Sequence, residues 1–366
     1  MSGAPHAYRY RMTIMDPIEA PKAMATLPDA PAQGGSVEIA PGVLWLRIGL
    51  PVALDHINLW AIADGPGWAI VDTGICHPGA TDAWDRILRE DLGGRPVTRV
   101  IVTHLHADHA GLAGWLVERF DCPLVMTRTE YLMAQSLVTG PSDEIAFRDF
   151  FRSAGWRADE VDVLAVRRRT IAGFYSPLPG SIQRIRDGDR LTIGSREWRV
   201  IAGGGHSPEH ACLFCPELEL FISGDMVLPR ISSNISVDVL EPNADPLTEW
   251  FESLDRIGNV VPENVLVLPS HGRCFFGLHA RIDALVNEQR RSLSSLLEAL
   301  ARPRRVDDLF DVLFSRPIKR SDIPLMSLAT GETLALLNHL IANRTVRKSR
   351  GPAGVSLYQA SDRDMA

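Results

Sequence analysis

Cysteine is scarce in this chain, five in 366 residues, at Cys76, Cys122, Cys212, Cys215 and Cys274. An odd, scattered set among apolar neighbours gives no disulfide framework and points to a reducing compartment. Cys212 and Cys215 form a C-x-x-C inside the apolar ACLFCPELELF, with no second pair beside it. They therefore read as buried structural thiols rather than a zinc knuckle or redox couple. The first ~35 residues lack an apolar core of signal-peptide length and are broken by Pro17, Pro21, Pro28 and Pro31, which reads as an N-terminal tail over residues 1–36. No run reaches the ~20 apolar residues of a membrane-spanning helix. The expectation is a cytoplasmic protein with no membrane partner. Neither G-x-S-x-G nor G-x-x-x-x-G-K-[ST] occurs, which removes the commonest serine-hydrolase and nucleotide-triphosphate chemistries. A net charge of -7 marks no attraction of the whole molecule to nucleic acid. Internal repeats and low-complexity tracts are absent as well.

What is present is enough apolar residues, 45% of the chain, for a large core. VLWLRIGL, INLWAIA and WAIVD read as a β-meander, with a turn at Asp64-Gly65-Pro66-Gly67. The helical stretch ATDAWDRILRED and the strand VTRVIVTH follow, so strand and helix alternate as in an α/β class. A long, largely helical insert spans residues 128–190. Strand patterns resume at RLTIG, REWRVIA, ACLFC and LELFIS. A helix over about 246–258, the strand NVLVLPSH and a helix over about 276–301 come next. The last segment reads helix, helix and short β-ribbon, the order of a winged helix. From Arg302 to Arg350 it carries ten Lys/Arg against five Asp/Glu, opposite in sign to the rest.

VTHLHADHAGLAG, directly after an apolar strand, holds His104, His106, Asp108 and His109 within six positions. A turn at a strand end re-aims successive side chains that a straight strand would send to opposite faces, so all four can converge on one point. One histidine would be an ordinary core or surface residue; this density reads as a metal site. Three further strand ends run into small-residue turns that each carry one ligand-type side chain: His206 in GGGHSPEH, Asp225 in FISGD and His271 in LPSHG. Singly, Asp225 also fits a helix cap and His271 a loop residue. The repeated layout favours ligands.

With these motifs in order, the chain resembles the metallo-β-lactamase superfamily, in the hydrolase branch that includes glyoxalase II and the lactamase-B-like proteins with a C-terminal winged helix. VDTG with Asp72, HLHADH, GHSPEH, SGD and SHG carry the resemblance. Glu209 stands where the family usually has glycine, and Ser270 replaces the glycine often found before the last histidine. The resemblance implies a four-layer αββα sandwich over residues 37–300 and a small winged-helix-like unit over 301–366. It implies His104, His106 and His206 on one metal and Asp108, His109 and His271 on a second, with Asp225 bridging. Asp72 and His210 would stand behind the ligands without binding metal. Five imidazoles and two carboxylates suit two Zn²⁺, although the set accepts Fe or Mn. Such a pair lowers the pKa of a shared water to about 7, giving a bridging hydroxide, with Asp108 and Asp225 as the catalytic carboxylates.

A carboxylic ester, thioester or lactone is the leading substrate class, by analogy of fold. Phe147, Phe150, Phe151, Trp156, Phe174 and Tyr175 in the insert either wall an apolar acyl pocket over the metals or pack the insert onto the core. Arg167, Arg168 and Arg169 either meet the phosphate of a thioester carrier such as coenzyme A or form a solvated charge run. A second reading is a metal-dependent phosphodiesterase or ribonuclease that grips nucleic acid with Arg344, Arg347, Lys348 and Arg350. Against it, winged helices in this family often serve as a packing or homodimer element. A mononuclear-iron sulfur dioxygenase is a third reading. A complete ligand set argues against a non-catalytic binding protein. The loop Leu228 to Ile235, just after Asp225, is expected to line the site.

Overall fold

The computed structural model describes residues 27–51, 54–139 and 143–361. Residues 1–26 of the expected tail lie outside that range. The end of the tail is already part of the body: Leu27 and Ala30 pack on the core, and β1 (Gly35–Ala40) pairs with β2 (Val43–Gly49). β2, β3 (His56–Asp64) and β4 (Gly67–Val71) form the expected antiparallel meander. Then come α1 (Pro78–Arg86), continued by a π-helical turn, and β5 (Val97–Ile101), parallel to β4. Pro78 opens α1, and the His77 ring accepts the Gly79 N–H at 3.1 Å, which caps the helix start. Next are α2 (Ala107–Ala110), α3 (Ala113–Phe120) and β6 (Leu124–Met126).

The insert is helical over α4 (Arg128–Thr139), α5 (Glu144–Ser153) and α6 (Ala158–Ile171). Its tail then supplies β7 (Gln183–Arg184), which pairs with β6 and closes the first, seven-stranded sheet. Two residues are too few to show a sequence period, so this strand was not legible. The second, five-stranded sheet is built from β8 (Arg190–Ile193), β9 (Arg196–Gly203), β10 (His210–Cys215), β11 (Leu220–Gly224) and, after α7 (Pro246–Val260), β12 (Leu266–Pro269). The chain ends in α8 (Leu278–Ala299), the single turn α9 (Phe310–Leu313), α10 (Ile323–Ala342) and the ribbon β13 (Val346–Arg350) and β14 (Ser356–Ala360).

Alternation along the strands builds the layers. Trp45, Trp60, Val71, Val200, Leu213 and Ile222 meet between the two sheets. Leu46, Leu59 and Ile70 face the other way, onto α1 and α3. Cys212, Phe214 and Phe221 face α7 and α8. Both faces of each sheet are covered, which is why these strands read as continuous apolar runs. The result is the expected order of helices, sheet, sheet and helices.

The C-terminal segment shares the core of this outer helical layer: Leu334, Leu337 and Tyr358 lie in one buried cluster with Trp250, Phe147 and Trp156. By length and composition α10 could cross a membrane, contrary to the expectation from sequence, but more than half of its apolar stretch is buried within the protein. It is a core helix packed against α6, α7 and α8.

Candidate metal centre

Asp72 follows β4, His104 to His109 follow β5, His206 follows β9, Asp225 follows β11 and His271 follows β12. β4 runs parallel to β5, and β11 parallel to both β12 and β9. Parallel strands put equivalent ends on one side, so all five turns meet at one edge of the sandwich. All seven expected ligands come together there, in two sets.

In the first set His104 Nε2, His106 Nδ1 and His206 Nε2 lie 2.9, 3.1 and 3.2 Å apart, and Asp225 Oδ2 is 3.5 Å from His206 Nε2. In the second, Asp108 Oδ2 lies 3.7 Å from His109 Nε2 and 3.4 Å from His271 Nε2. Asp225 Oδ1 is 3.6 Å from both of those rings. A tetrahedral ion with bonds of 2.0–2.1 Å has ligand-to-ligand edges of about 3.3–3.4 Å, which these spacings bracket. His109 Nε2, His271 Nε2 and the Asp225 Oδ1 are buried without a hydrogen-bond partner. Three such atoms turned towards one another are unfavourable unless a cation joins them. The donor set therefore fits a pair of metal ions.

Charge divides in the same way. Burial holds His104 and His206 below the ordinary imidazole range, and burial with His206 takes His106 down to about 3. These rings are neutral and free to ligate. Burial opposes protonation of His271 too, but Asp225 and Asp108 raise it to about 10. His109 is raised likewise by Asp108 and Asp72 against its burial. Burial would raise Asp108 and Asp225; His109 and His271 outweigh it and keep both carboxylates ionised.

Four of the five ligand rings, His104, His109, His206 and His271, are aimed by a partner on the other nitrogen. Asp72, expected behind the ligands, accepts from His109 Nδ1 at 2.8 Å and from the Thr103 N–H and hydroxyl at 2.8 and 2.9 Å. His104 Nδ1 lies 3.0 Å from that hydroxyl, His206 Nδ1 donates to the Asn234 carbonyl at 2.8 Å, and His271 Nδ1 to the His56 carbonyl at 2.9 Å. His210 accepts the Asp225 N–H on Nε2 at 3.1 Å, and its Nδ1 lies 3.7 Å from Cys212 Sγ. Both nitrogens thus have partners within the protein.

Sequence reasoning missed Glu130. Fully buried on α4, it accepts the Leu105 N–H at 2.8 Å, the Ser207 hydroxyl at 2.7 Å and the Glu209 N–H at 2.7 Å, tying the turns of His104 and His206 together. His56 was missed too; its Nε2 accepts from the Gly272 N–H at 3.0 Å beside His271. A lone acid in TEYLMAQSL and a lone histidine at a strand start carry no pattern that would announce them. Of the two departures from the family pattern, Glu209 has a local role, accepting the Thr129 N–H at the start of α4 at 2.9 Å. Nothing in the structure explains Ser270, whose hydroxyl is buried without a hydrogen-bond partner.

Of the two readings of the insert's aromatics, packing onto the core holds for most of them. Phe147, Phe151 and Trp156 are buried in the cluster they share with α10, and the Trp156 indole donates to Thr330 at 3.0 Å. Phe150 packs against the same cluster, while Phe174 is 39% exposed. Tyr175 alone reaches the centre, donating to the Leu105 carbonyl at 2.8 Å. Arg168 stacks over Phe147, and Arg169 lies 3.8 Å from Glu144. Cys212 and Cys215 face opposite sides of β10, in different core clusters, so they cannot act as a pair.

The metallo-beta-lactamase superfamily profile matches residues 52–271, and that of a metallo-beta-lactamase-like C-terminal domain matches 293–361. A crystal structure of a beta-lactamase domain protein from Burkholderia ambifaria is 38% identical, covers 96% of this chain and 97% of its own, and superposes with a TM-score of 0.82. The "Probable metallo-hydrolase YqjP" of Bacillus subtilis is 25% identical over 68% of this chain and 77% of its own length. The human acyl-coenzyme A thioesterase MBLAC2 is 26% identical over 64% of this chain and 79% of its own. With its profile match extending over more than half the sequence and a solved relative alike along nearly the whole of it, the chain belongs to the metallo-beta-lactamase superfamily.

Proposed function

We propose that the protein is a cytoplasmic, binuclear metal-dependent hydrolase of carboxylic esters, thioesters or lactones, and that a thioester of a carrier such as coenzyme A is its substrate. The observation that carries the binuclear reading is the position of Asp225 between the two sets, with Oδ1 3.6 Å from His109 Nε2 and His271 Nε2 and Oδ2 3.5 Å from His206 Nε2. His104, His106 and His206 would hold one cation, and Asp108, His109 and His271 the other. Imidazole and carboxylate donors suit Zn²⁺. Bound there, the metals supply Lewis acidity and a water ionised near neutral pH.

The chain's own residues do the rest. Asp108 keeps 23% of its side chain exposed while His109 has none, which suits it to pass protons between site and solvent. No thiol competes as nucleophile: burial pushes Cys122 up to about 11 and Cys76, Cys212, Cys215 and Cys274 above their ordinary range. The human relative's thioesterase activity supports the choice of thioester. The C-terminal unit, winged-helix-like in the order of its elements, serves in this reading as packing.

Exposed Arg347, Lys348 and Arg350 on β13 favour a second reading, a phosphodiesterase with a basic ribbon. Turnover of an acyl-coenzyme A series by the zinc-loaded protein, abolished by chelator, is the expected result. Salt-dependent retention on a nucleic-acid column without thioester turnover would replace the first reading with the second.

A further inference from the structure

The stretch between β11 and α7 has no regular structure, yet it supplies the acceptor that aims His206. A carbonyl in an irregular segment holds its position only if the segment is anchored, and the anchors come from α8 in the outer helical layer and from α10 of the C-terminal unit. Arg281 of α8 donates to the Leu228 carbonyl at 2.6 Å and to that of Ile231 at 2.9 Å. Nearer His206, Asn234 donates its side-chain amide to Glu332 of α10 at 2.7 Å. Ser236 donates to the Asn234 side-chain oxygen, and Val237 N–H to the Gly331 carbonyl at 3.1 Å. A Cβ on Gly331 would come within 2.8 Å of the Ser236 side chain, so a mid-helix glycine, elsewhere a weakness of about 1 kcal/mol, is what lets α10 approach the loop.

We propose that Glu332 is a positioning residue for His206, so that the C-terminal unit takes part in building the metal centre; this rests on His206 being a ligand. The relay runs from the Glu332 carboxylate to the Asn234 side chain, and from the Asn234 carbonyl to His206 Nδ1–H. It fixes the ring so that Nε2 faces His104, His106 and Asp225. Partners behind a metal ligand are worth 10- to 100-fold in metal affinity.

The test is a chelator-competition titration with Zn²⁺ alone on metal-free wild type, Glu332→Ala, Glu332→Gln, Asn234→Ala and the Glu332→Ala/Asn234→Ala pair. Arg320→Ala, also in the C-terminal unit but outside the relay, is the control. One of two affinities should fall about 10- to 100-fold in Glu332→Ala. Gln, which can still accept the Asn234 amide, should restore it to within about threefold, and the double variant should be no worse than either single one. If Glu332→Ala does not fold, Asn234→Ala against Glu332→Gln carries the same comparison. Two zinc sites of unaltered affinity in Glu332→Ala, a Gln variant as weak as Ala, or additive losses in the pair would overturn the relay. Wild type that takes up no zinc would instead overturn the reading of the site itself.

Discussion

Asp72 sits at φ +61°, a left-handed conformation costing roughly 1–3 kcal/mol for a residue other than glycine. The strain persists because three donors converge on its carboxylate, the Thr103 N–H, the Thr103 hydroxyl and His109 Nδ1–H. An asparagine offers one acceptor oxygen where these donors use two. Asp72→Asn is therefore expected to weaken one metal site about 10- to 100-fold, read by zinc titration; unchanged affinity would show that the carboxylate does not aim His109. His106→Ala should lose metal and hydrolysis together. Protons compete for the same atoms. With His271 raised to about 10 in the metal-free fold, its proton must leave before metal binds, so zinc affinity rises as pH increases from 6 towards 10. The same raised value adds stability to the metal-free protein that is complete below about pH 6.5 and is lost as pH rises through about 10. A metal-free melting temperature that climbs over that range would contradict it.

The strand ends were legible because each element announces itself twice, by an apolar run and by a small-residue turn. SGD is the clearest case. Gly224 lies at φ +54°, and a Cβ there would sit 2.4 Å from the His210 ring. Gly224→Ala should displace His210, free the Asp225 N–H and lower metal affinity and turnover at least ~10-fold, while the rest of the fold persists. The helices were less legible in role than in extent. α4 was visible as a helix, but nothing in its sequence says that Glu130 faces inward to join two ligand turns. The aromatics of α5 and the neighbouring Trp156 fitted a pocket wall as well as a packing face, and only the position of α10 decides for packing. One sequence cannot show which surface a distant helix will cover.

At the scale of the molecule, insert and C-terminal unit are fastened to each other. Arg320 bonds Glu160 of α6 at 2.7 and 2.8 Å and Asp307 at 2.7 Å. Arg320→Ala leaves a Glu160 side chain only 4% exposed with Arg157 as its remaining partner, and Arg320 itself is 37% exposed, so solvent screens part of the loss. A decrease of about 1–2 kcal/mol in stability is expected, short of the 3–5 typical of a fully buried pair. Metal affinity should not change, in contrast with Glu332→Ala. Thermal unfolding with and without zinc separates the two.

All of this depends on seven side chains from four turns gathering round two cations. The most direct test is to count metal in the purified protein, strip it with chelator and follow hydrolysis of an acyl thioester before stripping, after stripping and after zinc is returned. Two metal ions per chain, no turnover when stripped and recovery on reloading are expected. Full turnover by stripped protein, or a single iron per chain accompanied by oxygen uptake, would contradict the account.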